Sequence, residues 1–205
     1  MTAVAPPPFL AWPGWPQMRY AIGRMVLVTL WFALVYGGSD WLTAQRTWRV
    51  PVHTRFEPGI PLVPGFVLAY ISIYLLFLGT PFVLRTRDAI DRLARQQVIV
   101  TGIAGICYAL IPADLAYPAA TGLGIWDNLF RWADAVNLDH NLVPSLHVAM
   151  SAVSIRHFAV HAAPAVRWIL ITWGLLIAAS TVLTHQHHLL DVAAGFALAW
   201  WVGRR

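Results

Sequence analysis

The chain has 205 residues, 59% of them hydrophobic and 11% charged, with a mean hydropathy of +0.62, whereas a soluble domain is about 45–50% apolar and about 25% charged. That balance excludes a water-soluble globule, a disordered chain and a coiled coil, and a single cysteine, Cys107, excludes a disulfide framework. The net charge of +5 rests on 14 arginines and no lysine; they do not gather into one stripe, so the lipid bilayer is the expected partner and no nucleic acid is.

The first residues, with Ala5-Pro-Pro-Pro and then Trp12 and Trp15, carry neither a basic leader nor a cleavage site. No secretory signal peptide is expected there, and residues 1–18 read as an interfacial segment. Beyond it, charges mark the edges of spans, because an ionised group at the bilayer centre costs at least about 2.5 kcal/mol. Six spans are expected, near residues 20–39, 65–84, 97–113, 145–160, 168–184 and 187–203. The fold class is all-α, a six-transmembrane-helix bundle forming one membrane domain over 1–205. Residues 85–97, with Ile90, Leu93 and Ala94 among four Arg and two Asp, read either as a short amphipathic surface helix or as a charged hairpin connection. Taken as one helix, 168–203 would run about 54 Å, longer than a bilayer needs. A break is therefore expected at its most polar point, Thr184-His185-Gln186-His187-His188, which leaves Asp191 within or beside the membrane. Six crossings put both ends of the chain on one side together with ten of the 14 arginines. Arg46, Arg49, Arg55 and Arg131 fall on the other side. The positive-inside rule makes the richer side the cytoplasm, in a plasma or inner membrane, and places residues 114–141 and 184–188 outside.

Two polar clusters stand out. Asn141-Leu-Val-Pro-Ser-Leu-His147 precedes the fourth span; Pro144 and Ser145 suit a helix start, so His147 falls in the first turn, where free N–H groups favour an anion. Ser180-Thr181, then His187 and Asp191, form the second cluster. His187 and Asp191 are four residues apart, hence neighbours on one helical face, and a carboxylate there fixes the imidazole tautomer. Two crossings joined at Arg156 and Arg167 separate the clusters, so both histidines return to the same external surface. A histidine oriented by a carboxylate can attack phosphorus while the second protonates the departing alkoxide, and a phosphohistidine then passes its phosphoryl group to water or another hydroxyl. The position at the lipid boundary points to a lipid phosphate. Arg131, the only arginine in the loop leading to His147, either serves the equatorial oxygens or faces headgroups. Ser145, Ser180 and Thr181 either bind the phosphate or serve their helices.

Pro144-Ser145-Leu146-His147 followed by Ser180-Thr181-x5-His187-x3-Asp191 resembles the second and third signature motifs of the type 2 phosphatidic acid phosphatase superfamily, and Ile60-Pro-Leu-Val-Pro before the second span adds to the likeness. The resemblance implies a six-helix membrane enzyme needing no metal or other cofactor. In it His187 is the nucleophile, Asp191 its partner and His147 the general acid, and a membrane phospholipid or polyprenyl phosphate is the substrate. The third motif usually begins Ser-Arg, and the first, Lys-x6-Arg-Pro, has no counterpart before Ile111-Pro112. With Ser-Thr and the paired histidines before Asp191, the pattern looks closer to the inositol phosphorylceramide synthase branch, which moves a phosphoinositol headgroup between lipids. The leading expectation is a lipid phosphatase; the alternative is such a headgroup transferase.

Two other classes are weighed. His185, His187, His188 and Asp191 with His140 or His147 could ligate zinc in a membrane hydrolase, although no HExxH spacing is present. A non-enzymatic transporter would place its polar groups at the midplane rather than at one surface. Outside the zinc reading, His185 and His188 are expected at the interface rather than in the site. Asp114, Asp127, Asp134 and Asp139 read as loop solvation and helix caps, and His157 and His161 as bland cytoplasmic-side residues.

Overall fold

The computed structural model describes residues 8–138 and 140–204. Asp139, Arg205 and the first seven residues of the expected interfacial segment lie outside the described residues. Seven helices follow: α1 Trp15–Ala44, α2 Pro64–Val83, α3 Arg87–Leu110, α4 Asp127–Asn137, α5 Leu146–Ala159, α6 Pro164–Leu183 and α7 Leu189–Val202. The expected count of exactly six is corrected to seven among the described residues. The additional helix is α4, whose Phe130 and Ala133 are buried while Arg131 and Asp134 face outward. Four helices, α1, α2, α3 and α6, are long and apolar enough to cross a membrane. α7 is a shorter apolar helix of 14 residues, and α5, also of 14 residues, carries His147, Arg156 and His157.

Local chemistry accounts for the helix ends. Pro16 opens α1, Pro64 opens α2 and Pro164 opens α6, each at a position whose N–H has no intrahelical partner. Thr86 caps α3 by accepting from Ala89 N (3.2 Å), and Ser145 caps α5 by accepting from Val148 N (3.4 Å). Helix α2 steps at Ser72, between Val67–Ile71 and Ile73–Val83. There the Ser72 hydroxyl donates to Ala69 O (2.6 Å) and accepts from Trp173 Nε1 (2.7 Å). Residues 85–97, read above as a surface helix or a hairpin, instead run straight into the first turns of α3, which begins at Arg87. Their Asp91 accepts from the Tyr20 hydroxyl (2.7 Å) and pairs with Arg24 (2.8 Å), so neighbouring charges offset one another without ending either helix. The apolar stretch that could not be a single helix ends at Leu183 and restarts at Leu189.

Helix α5 is central and packs against α2, α3, α6 and α7, with Val148, Ala149 and Val153 fully buried. α1 packs along α3. The site end of the bundle collects the end of α1, the start of α2, the end of α3, the start of α5 and the α6–α7 turn. Its connections are tied together: Val50–Pro51 pairs in parallel with Ala113–Asp114, Val63 N donates to Leu183 O (2.9 Å), and the Tyr108 hydroxyl donates to Pro144 O (2.6 Å). At the opposite end lie Arg24, Arg85, Arg92, Arg156 and the end of α7.

Candidate active site

Helix α7 begins on two carboxylates. Asp191, in its first turn and fully buried, accepts from His188 N (2.8 Å) through Oδ2, which also faces His187 Nδ1 (3.3 Å). A carboxylate in the first turn is favoured by the helix dipole, and here it also holds the ring of the residue four positions earlier. With Nδ1–H directed at Asp191, the lone pair of the His187 ring is on Nε2, away from the carboxylate. The preceding turn is closed by Thr181 O, which accepts from both Gln186 N and His187 N (2.9 Å each).

His147 reaches the same place from α5. Its ring stacks on Tyr70 (centroids 4.0 Å apart, 22° between planes), and the Tyr70 hydroxyl lies 3.3 Å from Nδ1. α7 holds the start of α5 directly, since Ser145 N donates to Asp191 O (3.0 Å). Gly195 is required for that approach, because a Cβ there would come 2.7 Å from Ser145 O and 3.0 Å from Val148 Cβ. The His147 and His187 rings are 6.5 Å apart at their centroids, and both line one cavity of about 560 Å³ bounded by α1, α2, α3 and α5.

The structure thus brings together His147, His187 and Asp191, with Ser145 in contact with Asp191 through its backbone. It brings none of the expected phosphate-binding groups to the cavity, whose lining includes neither Ser145, whose hydroxyl caps α5, nor Ser180, Thr181 or Arg131. The Ser180 hydroxyl donates to Ile177 O (2.6 Å) and the Thr181 hydroxyl to Ala178 O (2.8 Å), bonds inside their own helix. Arg131 is 70% exposed and paired with Asp127. Among the described residues, the only guanidinium lining the cavity is Arg24, on its far wall.

His185 and His188, expected at the interface, are buried instead. Tyr117 lies between them, 4.2 Å from the His185 ring and 4.6 Å from the His188 ring. His185 Nε2 donates to Ile60 O (2.9 Å). His188 donates from Nδ1 to Glu57 Oε2 (3.1 Å) and accepts at Nε2 from Ala116 N (3.2 Å). Burial lowers its pKa more than Asp191 and Glu57 raise it, so the ring is neutral, as the Ala116 bond requires. His140 faces Asp40 (3.1 Å). The imidazoles that a zinc reading needs therefore diverge, and no group of three or more His, Cys, Asp or Glu that could hold a metal occurs among the described residues.

Glu57 was not expected in the site. It is the only glutamate of the chain, is fully buried, and also accepts from Leu189 N (2.8 Å), Thr54 N (2.7 Å) and the Thr54 hydroxyl (2.8 Å). Burial pushes its pKa up, but those donors and His188 outweigh it and hold it below the ordinary value. Its contribution to stability is therefore complete above the ordinary carboxylate range and lost as pH falls through its folded-state pKa. Glu57→Ala strands the Leu189 N–H and the His188 ring, and each unsatisfied buried group costs about 1–3 kcal/mol. The expected result is a lowered unfolding temperature in detergent, with a smaller loss for Glu57→Gln, which keeps an acceptor. A Glu57→Ala protein as stable as the parent would remove this role.

α4 lies over the site end. Phe130 and Ala133 pack with Val67 and Tyr70, Trp132 meets the Tyr74 ring edge-on (5.7 Å), and Asp134 accepts from Gln186 Nε2 (2.7 Å). Asp134 thus joins α4 to the turn that carries His187.

A family model described as the PAP2 superfamily matches residues 62–203. That segment contains His147, His187 and Asp191 and leaves out α1 and Glu57. No solved structure matches the chain.

Proposed function

The chain belongs to the PAP2 superfamily, whose members are phosphatases and phosphotransferases, and on that premise we propose that it is a membrane-embedded lipid phosphatase working through a phosphohistidine. The observation that carries this reading is the pairing of His147 and His187 on one cavity wall, 6.5 Å apart, with Asp191 on the inner nitrogen of His187. His187 Nε2 attacks phosphorus, the bond to the alkoxide oxygen breaks, and His147 gives that oxygen a proton. His147 then takes a proton from water, whose oxygen attacks phosphorus as the N–P bond breaks, releasing inorganic phosphate and restoring both rings.

α1, α2, α3, α5, α6 and α7 are the six crossings of this reading, with both ends of the chain in the cytoplasm and the site facing outward. The segregation of arginines supports that orientation. At 1.5 Å per residue the 14-residue α5 and α7 span about 21 Å, less than the hydrocarbon thickness of about 30 Å. The catalytic groups at their ends are therefore recessed to the depth of a lipid ester.

A second reading has its own support. No guanidinium lines the cavity beside the histidines among the described residues, while Asp191 and Glu57 are both buried close by. A phosphodiester carries one negative charge and a monoester up to two, so this surrounding opposes the diester less. That favours transfer of a headgroup to a lipid hydroxyl, as in the inositol phosphorylceramide synthase branch. The test is a panel of monoester and diester lipids incubated with purified protein, scoring free phosphate and headgroup-transferred lipid separately. Phosphate from monoesters is expected for the first reading and transferred lipid from diesters for the second; lipid binding without either product removes both.

Asp191→Asn tests the orienting role. A charge-assisted hydrogen bond is worth about 1.5–3 kcal/mol, so turnover is expected to fall about ten- to a hundredfold with KM little changed. Unchanged turnover in steady-state assays would show that Asp191 does no more than cap α7.

A further inference from the structure

The cavity continues well past the histidines. From His147 and His187 it follows α1, α2 and α3 to Arg24 and Gln97 near the opposite end of the bundle. Along α1 its lining runs from Tyr36 to Arg24, twelve residues or about 18 Å; along α3 it runs from Tyr108 to Ile90, eighteen residues or about 27 Å. One leaflet offers about half of the roughly 30 Å hydrocarbon thickness, so the cavity is deeper than one leaflet.

The walls have little to offer a polar ligand. Phe32 and Phe77 line its middle and Leu93 its inner part, and several of the polar side chains around it are already bonded. Thr80 donates to Leu76 O (3.2 Å), Gln97 to the Ser154 hydroxyl (3.1 Å), Asn141 to Tyr36 O (2.7 Å), and Arg24 pairs with Asp91 (2.8 Å). Its volume sets the capacity. A cavity of about 150 Å³ holds one benzene of six carbons, so 560 Å³ holds about twenty carbons on the same scale. Leu78 both lines the cavity and is 61% exposed, so only one side chain separates the cavity from the outside there.

We propose that this cavity binds one hydrocarbon chain of the lipid phosphate lengthwise, with room for about twenty carbons, and that its inner end, at Ile90 and Ala94, selects substrates by chain length. The inference rests on the lipid-phosphate reading above and adds the substrate class: a lipid that reaches the histidines with a single long chain inside the protein. Because bilayer tails are as apolar as the cavity wall, preference comes from filling the cavity, whose lining otherwise lacks contacts.

The test uses the full-length protein in detergent micelles with single-chain phosphate esters carrying a photoreactive diazirine at the tail. A chain of about twenty carbons is expected to label α3 near Leu93 and α1 near Val28, and a chain of half that length to label near Phe32 or Phe77. Labelling confined to outward residues such as Leu68 and Leu75 overturns the proposal. Phosphate release from the same esters supplies the second readout. The long ester is expected to have at least about a tenfold higher kcat/KM than the short one, and Ala94→Phe or Ile90→Phe, both at the inner end, to abolish that preference. A preference unchanged in both folded variants also overturns the proposal. Release from neither ester, with inner labelling intact, counts against the phosphatase reading alone.

Discussion

Replacement of His187 by alanine is expected to lower turnover by at least about ten-thousandfold, the scale seen when one member of a catalytic unit is removed. The reason lies in how its ring is held. Asp191 engages Nδ1, so Nε2 is the only nitrogen free to attack, and the cavity holds one other imidazole, His147, which lacks a carboxylate partner among the described residues. The variant should still fold, because Asp191 keeps its bond from His188 N and the turn keeps Thr181 O as its acceptor. Rapid quenching with substrate labelled at phosphorus is expected to trap an acid-labile, base-stable label on the parent protein and none on the variant. Turnover within tenfold of the parent, or a label that persists without His187, would show that another group attacks.

His147→Ala is expected to cost about a hundred- to ten-thousandfold, the range for a general acid, and the loss should depend on the leaving group. An alkoxide must be protonated as it departs, whereas a nitrophenolate leaves without help. The variant should therefore act on a nitrophenyl phosphate with a much smaller deficit in the first step, still forming the phosphohistidine. Since alanine also removes the ring stacked on Tyr70, His147→Gln serves as a companion that retains polar bulk. Equal losses on both esters in both variants would mean that His147 supports the site without transferring a proton.

The two motifs were legible in the sequence because their chemistry is local or follows from the parity of crossings. The four-residue spacing brings His187 to Asp191, although not on one helical face as expected: His187 lies before α7, and the first-turn carboxylate reaches back to it and to His188 N. The α5–α6 hairpin returns the chain to the end that carries His147. The helix break was legible because 36 consecutive residues cannot cross one bilayer and the polar run offers the cheapest interruption. Glu57 was not, since its partners His188 and Leu189 lie 131 and 132 positions away; its only signal was being the sole glutamate in a chain otherwise acidic through aspartate. The inward turn of His185 and His188 depends on Tyr117, which nothing in the spacing connects to them. The Ser180 and Thr181 hydroxyls, expected either to bind the phosphate or to serve their helices, do the latter. Backbone carbonyls three residues back compete for every helical serine and threonine, and here they win both.

α1 lies outside the family-matched segment, yet Phe32 and Tyr36 on it form a wall of the chamber that ends at the histidines. On the proposed reading the wall that a greasy tail meets is thereby divided: its inner end, at Ile90 and Ala94, lies in the matched segment with the histidines, while one side comes from a helix outside it. Changes confined to that first helix reshape one side of the chamber and leave the histidines untouched.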